Sequence, residues 1–379
     1  MKIRLFKPSV GKSELKLVKK TFDKSWLGFG ESVKEFENKW KKKFNVKEAI
    51  AVNSCTAALH SALAIHKFKK NKEVLVPAIS FSATAAVTLY SGLKPKFVDV
   101  NKYDLNINFE DLKKKYTKNC VALILVHMGG HPCELEKIIP WARRKKILII
   151  EDCAETCGGS YKGKKLGTWG DLGCYSFEEK KIMTTGDGGM ISTNDKKKAK
   201  KLRSFTFHGW NIDPFSRHKK SFKKKFNSWE YDISEPGYKY NMNNLVASLG
   251  IAQLNKLKWL NSSREKLIKF YLKELGNLKN IKPTLPHNLK DSSYWIFSLK
   301  CSKRNSFIEF LKGEGISTSI HFKPLQLLKA YKKYKHQTPN AKKIWKEIVT
   351  LPLFPELKFK EVKYICSKIR YFDKNYAKY

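Results

Sequence analysis

Between residues 49 and 152 the chain alternates short apolar runs with helical segments, and this alternation restricts the fold more than any other feature. Apolar runs fall at 49–52, 73–76, 96–100, 120–127 and 147–152. After the first run, Asn53-Ser54-Cys55-Thr56 reads as a helix cap, followed by Ala57, Leu59, Ala62, Leu63 and Ile65. Residues 83–90 and 134–144 are also helical in pattern. Strand and helix in this order build a doubly wound α/β domain with a mostly parallel sheet. Ligands of such sheets gather at the carboxyl ends of the strands, where Ser54, Ser80 and Asp152 fall.

On the amino-terminal side, 11–45 reads as helix, with Leu15, Val18, Phe22, Val33, Phe36, Trp40 and Phe44 on apolar faces. After residue 250 the regular alternation is lost. A long helix with breaks over 243–275 leads to a strand at 294–301, a helix at 305–314 ended by Gly315, and a strand at 316–322. We therefore expect a large domain over 1–250 and a smaller α+β domain over 251–379, with 217–226 as an exposed loop or hairpin.

The 379 residues are 42% hydrophobic and 13% aromatic, enough for a sizeable core and too apolar for disorder. No apolar run is long enough to cross a bilayer, and the first residues lack the apolar centre of a secretory signal, so a cytoplasmic protein without a membrane partner is expected. The eight cysteines include no CxxC pair, which suits reduced, buried thiols. Cys153 and Cys157 with His127, His131 and Cys133 match no standard zinc spacing, and no metal is expected. The formal charge of +42 raises nucleic-acid binding as a function. Arginine, however, occurs only at positions 4, 143, 144, 203, 217, 264, 304 and 370. The excess is lysine spread along the whole chain, whereas base and phosphate readers lean on arginine's fork. The charge reads as a solvated surface that attracts anionic substrates.

Several residues carry chemistry. Free amides at a helix start, with the hydroxyls of Ser54 and Thr56, suit a phosphate, although Ser and Thr are also ordinary caps. Phe81, just past the strand closed by Pro77, could stack on a flat ring, although a Phe there is commonly core. Asp152 ends a very apolar strand, and a buried carboxylate needs a partner such as a protonated pyridine nitrogen, a helix cap or an ion pair. Lys180 and Lys181 precede the Gly-rich turn Thr185-Gly186-Asp187-Gly188-Gly189. A lysine and an acid so placed suit a pyridoxal phosphate (PLP) enzyme, but composition does not choose between the two lysines.

These segments resemble the nucleotide-sugar aminotransferases of fold type I, the DegT family. The likeness runs through Asn53-Ser54-Cys55-Thr56-Ala57-Ala58-Leu59-His60, Val76-Pro77-Ala78 with Phe81, and His127-Met128-Gly129-Gly130-His131-Pro132. It continues through Glu151-Asp152-Cys153-Ala154-Glu155, Ser176-Phe177 with Lys181, Gly237-Tyr238-Lys239-Tyr240-Asn241-Met242, His321-Phe322-Lys323-Pro324 and Leu351-Pro352-Leu353-Phe354-Pro355. The resemblance implies an aspartate-aminotransferase-like α/β fold, PLP as cofactor and a homodimer with shared active sites. It implies that Lys181 forms the Schiff base and that Asp152 pairs with the pyridinium nitrogen. Ser54, Cys55 (through its backbone), Thr56 and Ser176 would bind the phosphate, completed across the dimer by Lys239 or Asn241. Phe81 would stack on the ring, Glu155 would lie near the ring and its hydroxyl, and His321 would bind substrate. The implied reaction moves an amino group from an amino acid, L-glutamate, to a keto-sugar nucleotide for surface polysaccharide or lipopolysaccharide. Three positions depart from the family pattern: Cys55 replaces glycine, Glu155 replaces glutamine, and Glu178-Glu179 precede the lysine. The alternatives are a PLP-dependent sugar dehydratase, disfavoured by the presence of Lys181 and the lack of cluster-spaced cysteines, and a non-catalytic basic nucleic-acid-binding protein on the same scaffold.

Overall fold

A computed structural model of the chain describes residues 2–221, 230–284, 291–334 and 336–376. In chain order its strands are β1 (Glu48–Val52), β2 (Glu73–Pro77), β3 (Lys94–Val98), β4 (Cys120–Val126), β5 (Leu148–Asp152), β6 (Ser160–Tyr161), β7 (Lys164–Lys165), β8 (Leu172–Ser176), β9 (Gly189–Thr193), β10 (Lys282–Pro283), β11 (Phe297–Lys300) and β12 (Ile348–Leu351). Seven of them form one sheet in the order β1-β9-β8-β5-β4-β2-β3. From β3 to β8 neighbouring strands run parallel, and β9 is antiparallel to both β8 and β1. The expected mostly parallel α/β architecture is the one observed.

The centre of this sheet explains why 120–127 and 147–152 read as unbroken apolar runs rather than alternating ones. All of β5 and nearly all of β4 is buried, because helices cover both faces. Ile150 packs with Ala58, Leu59 and Ala62 of the helix Cys55–Ala64. Ile149 packs on the opposite side, with Leu135, Ile138 and Trp141 of the helix Leu135–Arg144. Each such side chain contributes roughly 1.5–3 kcal/mol by burial. Successive residues of a strand point to opposite faces, so Asp152 shares the face of Ile150 and Glu151 that of Ile149. A one-residue slip of β5 would exchange the two carboxylates, and the apolar cores on both sides oppose it.

A second core, built on the antiparallel sheet β10-β11-β12, gathers Leu267, Ile268 and Tyr271 with Phe307, Leu311, Ile365 and Ile369, and also takes in Ile3 from the amino terminus. Three local expectations need correction. The segment 11–45 is two helices, Lys12–Asp23 and Glu31–Phe44, because Asn244 holds the turn between them: its Nδ2 donates to Trp26 O at 2.8 Å. The break allowed for in 243–275 falls at Lys256, between Asn244–Asn255 and Leu257–Leu275, and the Lys256 ammonium reaches Ser9 O at 2.6 Å and Glu14 at 2.7 Å. Residues 316–322 form no strand; their backbone is divided between isolated bridges to Ile3 and Thr350, so no continuous ladder develops. The segment 217–226 begins inside the helix Pro214–Ser221, and 222–226 lies outside the described residues. Among the described residues no helix is long and apolar enough to cross a membrane, and all eight cysteines are buried and unpaired.

Candidate active site

The carboxyl end of β5 places Asp152, buried, beside the starts of two helices. Oδ2 of Asp152 accepts a hydrogen bond from Thr84 Oγ1 at 2.9 Å, in the helix Ala83–Tyr90. Thr84 in turn accepts from Ser80 Oγ at 2.7 Å, since its own proton is committed to Asp152. Oδ1 accepts from Ala154 N at 3.2 Å, and the Cys55 thiol lies 3.9 Å away. Burial pushes the Asp152 carboxyl up, while Thr84, Ala154 and the nearby Lys181 charge pull it down. The Cys55 side chain therefore points at Asp152 and not at the helix start, so the bulk added where the family carries glycine is turned away from the free amides. Burial and the neighbouring Asp152 keep that thiol protonated.

Lys181 follows β8 on a turn closed by its own amide, which donates to Glu178 O at 2.9 Å. Glu178 is absorbed into the same turn: its amide donates to Ser176 Oγ at 3.3 Å and its Oε2 accepts from Lys180 N at 3.0 Å. The Lys181 ammonium lies 3.7 Å from the centroid of the Trp295 ring. His321 packs edge-on against that ring at 5.1 Å, and its Nδ1 lies 3.0 Å from Thr350 Oγ1. Burial, with the Lys181 and Lys180 charges, lowers the His321 pKa to about 3, so the imidazole is neutral.

Glu155 is buried on the loop after β5. Its Oε2 accepts from Gly129 N at 2.6 Å, and no other hydrogen bond to its carboxylate is present among the described residues. Gly129 adopts φ +67, a left-handed turn that aims its amide at the carboxylate. Burial raises the Glu155 pKa to about 7, opposed by Lys181 and the Gly129 amide and assisted by Asp152.

The helix Cys55–Ala64 starts beside this cluster. The Ser54 hydroxyl caps it, accepting from Ala57 N at 3.1 Å. The amides of Cys55 and Thr56, the first of this helix, have no partner within it. Ser176 closes β8 opposite Gly189. A Cβ on Gly189 would lie 2.7 Å from the Ser54 backbone, so only glycine lets β9 approach the helix start this closely. Phe81 is 58% exposed, with the Phe322 ring edge-on at 6.1 Å. Lys239 and Asn241 pair with each other. The Lys239 ammonium donates to Asn241 Oδ1 at 2.8 Å and rests over Phe207, at the edge of a groove shared with Phe29 and Trp210. Their segment is tied to the strand before Ser54 through Asn53 N to Tyr240 O, 2.7 Å.

On the other face of β5, Glu151 is fully committed. Oε1 accepts from the amides of Trp169 and Gly170 at 2.7 and 2.6 Å, and Oε2 from Gly167 N at 2.8 Å and His127 Nε2 at 3.0 Å. His127 Nδ1 accepts from Cys133 N at 3.2 Å, which places the ring proton on Nε2. His127, Glu151 and Cys153 could sit around one ion by distance, but the carboxylate and imidazole lone pairs are already used. Sequence reasoning singled out neither Trp295 nor Thr84's bond to Asp152. The four-residue spacing of Ser80 and Thr84 is the local signal that could have found the second.

The donor set fits a pyridine aldehyde phosphate: free helix amides, an exposed aromatic ring, a buried carboxylate, and an amine held nearby. The model of the DegT/DnrJ/EryC1/StrS aminotransferase family matches residues 8–370. The spore coat polysaccharide biosynthesis protein SpsC of Bacillus subtilis is 32% identical, covering 96% of this chain and 95% of its own. GDP-perosamine synthase of Escherichia coli O157:H7 is 31% identical, covering 98% of each chain. Among solved structures, the PMP form of the putative sugar aminotransferase Spr1654 from Streptococcus pneumoniae superposes with a TM-score of 0.90 at 27% identity, covering 98% of this chain and 99% of that one; a PLP form of the same protein is also similar. On sequence, fold and the side chains gathered at its strand ends, this chain is a member of the DegT/DnrJ/EryC1/StrS family of sugar aminotransferases.

Proposed function

We propose that the protein transfers the amino group of L-glutamate to a keto-sugar nucleotide, supplying an amino sugar for surface polysaccharide, and works as a homodimer with shared active sites. The observation that carries the reading is Asp152, held by Thr84 and Ala154 at the end of β5 beside the start of the helix Cys55–Ala64, with Glu155 on the following loop and the Lys181 charge acting on both acids. The names of SpsC and GDP-perosamine synthase support the polysaccharide and nucleotide-sugar parts.

Pyridoxal phosphate, when bound, supplies the electron sink that lets an amino acid lose its α-proton. Lys181 is the residue that would hold it covalently, and the free Lys181 Nζ would be the base that moves the proton. Asp152, held by Thr84 and Ala154, keeps a negative charge against the ring nitrogen. The amides of Cys55 and Thr56, with Ser54 and Ser176, would hold the phosphate, and Phe81 would cover one face of the ring. Lys239 or Asn241 of the second copy completes the phosphate site, and His321, neutral and fixed by Thr350, lines the substrate side. A panel of keto-sugar nucleotides with glutamate as donor tests the substrate assignment; no product with any member overturns it. Lys181→Ala should lose turnover and the visible absorbance of the cofactor-loaded protein, and full activity in that variant refutes the lysine's role.

A further inference from the structure

Trp295 belongs to the segment that enters β11, yet it is built into the site. Its amide donates to Gly129 O at 2.9 Å, and its indole Nε1 donates to Lys180 O at 2.9 Å. One ring contact is a stack on Phe6 at 5.7 Å and 7°, and His321 meets it edge-on at 5.1 Å. The residue is 3% exposed. An indole held at both its backbone and its ring nitrogen has no freedom to turn, and the Lys181 ammonium lies over its face at 3.7 Å. Among the described residues that ammonium forms no ion pair with a carboxylate; the Asp152 and Glu155 charges act on it only through their fields. The face of an indole attracts a cation through its quadrupole, more strongly where water is scarce.

We propose that Trp295 is a positioning residue whose ring face docks the Lys181 ammonium whenever that amine is not bonded to the cofactor. The proposal rests on the reading that Lys181 is the lysine that bonds the cofactor, but the pair can be tested without it. The contact ties the working amine to the segment leading into the antiparallel sheet. The same turn, at Gly129, also holds Glu155. A docked ammonium is a poor nucleophile, and an interaction of ordinary cation–π strength would slow its reaction with electrophiles by about two- to thirty-fold.

The test uses the full chain freed of cofactor and a limiting amount of acetic anhydride at fixed pH. Acetylation of Lys181 and of its exposed neighbour Lys180 is followed by peptide mass spectrometry. In Trp295→Leu, Lys181 should react about two- to thirty-fold faster while Lys180 is unchanged. Trp295→Phe keeps an aromatic face but loses the bond to Lys180 O, and should show a smaller rise. Mono-, di- and trifluorinated tryptophan placed only at position 295 keep the ring's shape while draining its face, and the Lys181 rate should climb with fluorine number. A common rise of Lys180 and Lys181 means a loosened turn and overturns the proposal, as does a Lys181 rate that ignores fluorination. Should Trp295→Leu fail to fold, the fluorinated series decides alone. Borohydride reduction of cofactor-loaded protein that labels a residue other than Lys181 would refute the cofactor reading while leaving the docking contact standing.

Discussion

Glu151 and Asp152 are adjacent acids on one strand, both buried, and the sheet sends them to opposite tasks. Glu151 faces the side of Ile149 and accepts four hydrogen bonds, three from the backbone of 167–170 and one from His127. Asp152 faces the side of Ile150 and is held by two oxygen or nitrogen donors, Thr84 and Ala154, plus the distant thiol of Cys55. A saturated carboxylate is a fastener, because all its lone pairs are spent on the fold. A partly satisfied one beside a lysine keeps capacity for a ligand, at the cost of burial that folding alone would not select. The lesson is that identical chemistry, one residue apart, divides by strand parity.

Exchanging the two acids' amides tests that division. Asp152→Asn should cost on the order of 10²–10³-fold in turnover and in cofactor affinity, the scale of an uncompensated buried charge partner, while the cofactor-free protein melts near the parent temperature. Glu151→Gln should do the reverse. Its amide group would face backbone N–H donors, costing about 2–3 kcal/mol of stability, visible in denaturant unfolding, while turnover per folded molecule changes little. If Glu151→Gln loses activity without losing stability, the two faces are not divided as described.

Glu155 sharpens the contrast through pH. Its folded pKa is raised from 4.5 to about 7, so between these values the folded chain holds a proton that the unfolded chain has released. Its contribution to stability is therefore full below about 4.5 and is lost as pH rises through about 7. Glu155→Gln should flatten this slope in the cofactor-free protein, with a gain over the parent that grows from pH 5 to pH 8 and reaches about 1–3 kcal/mol. Unfolding curves at several pH values would show it, and a parallel offset at all pH values would contradict it. The smallest effect is expected for Thr84→Val, which removes one donor from Asp152 and should weaken cofactor binding by about tenfold, measured by fluorescence titration.

Much of the site was legible because it is written in contiguous segments. Ser54 to Thr56, Asp152 to Glu155 and Ser176 to Lys181 each sit at the end of a strand, and period and punctuation locate strand ends. The failures share a physical cause. The break at 24–30, and the place of the break at Lys256, are enforced by Asn244, Ser9 and Glu14, which come from other parts of the chain. Local pattern carries no trace of such partners. The extended look of 316–322 was real, but its pairing is split between Ile3 and Thr350, which no reading of those seven residues contains. Trp295 could not be linked to Lys181 because 115 positions separate it from Lys180, the residue it bonds.

The sequence by itself determined the alternation of strand and helix, the apolar runs that must lie at the middle of a covered sheet, and the presence of an acid and a lysine at strand ends. Those follow from short-range rules of periodicity, capping and burial. Only the tertiary structure decided which of two neighbouring acids is spent on the fold, which way the Cys55 thiol turns, and which aromatic ring meets the Lys181 ammonium. Each of these depends on groups brought within a few ångströms by chain folding, and hydrogen bonds and charge–quadrupole contacts act only at that range.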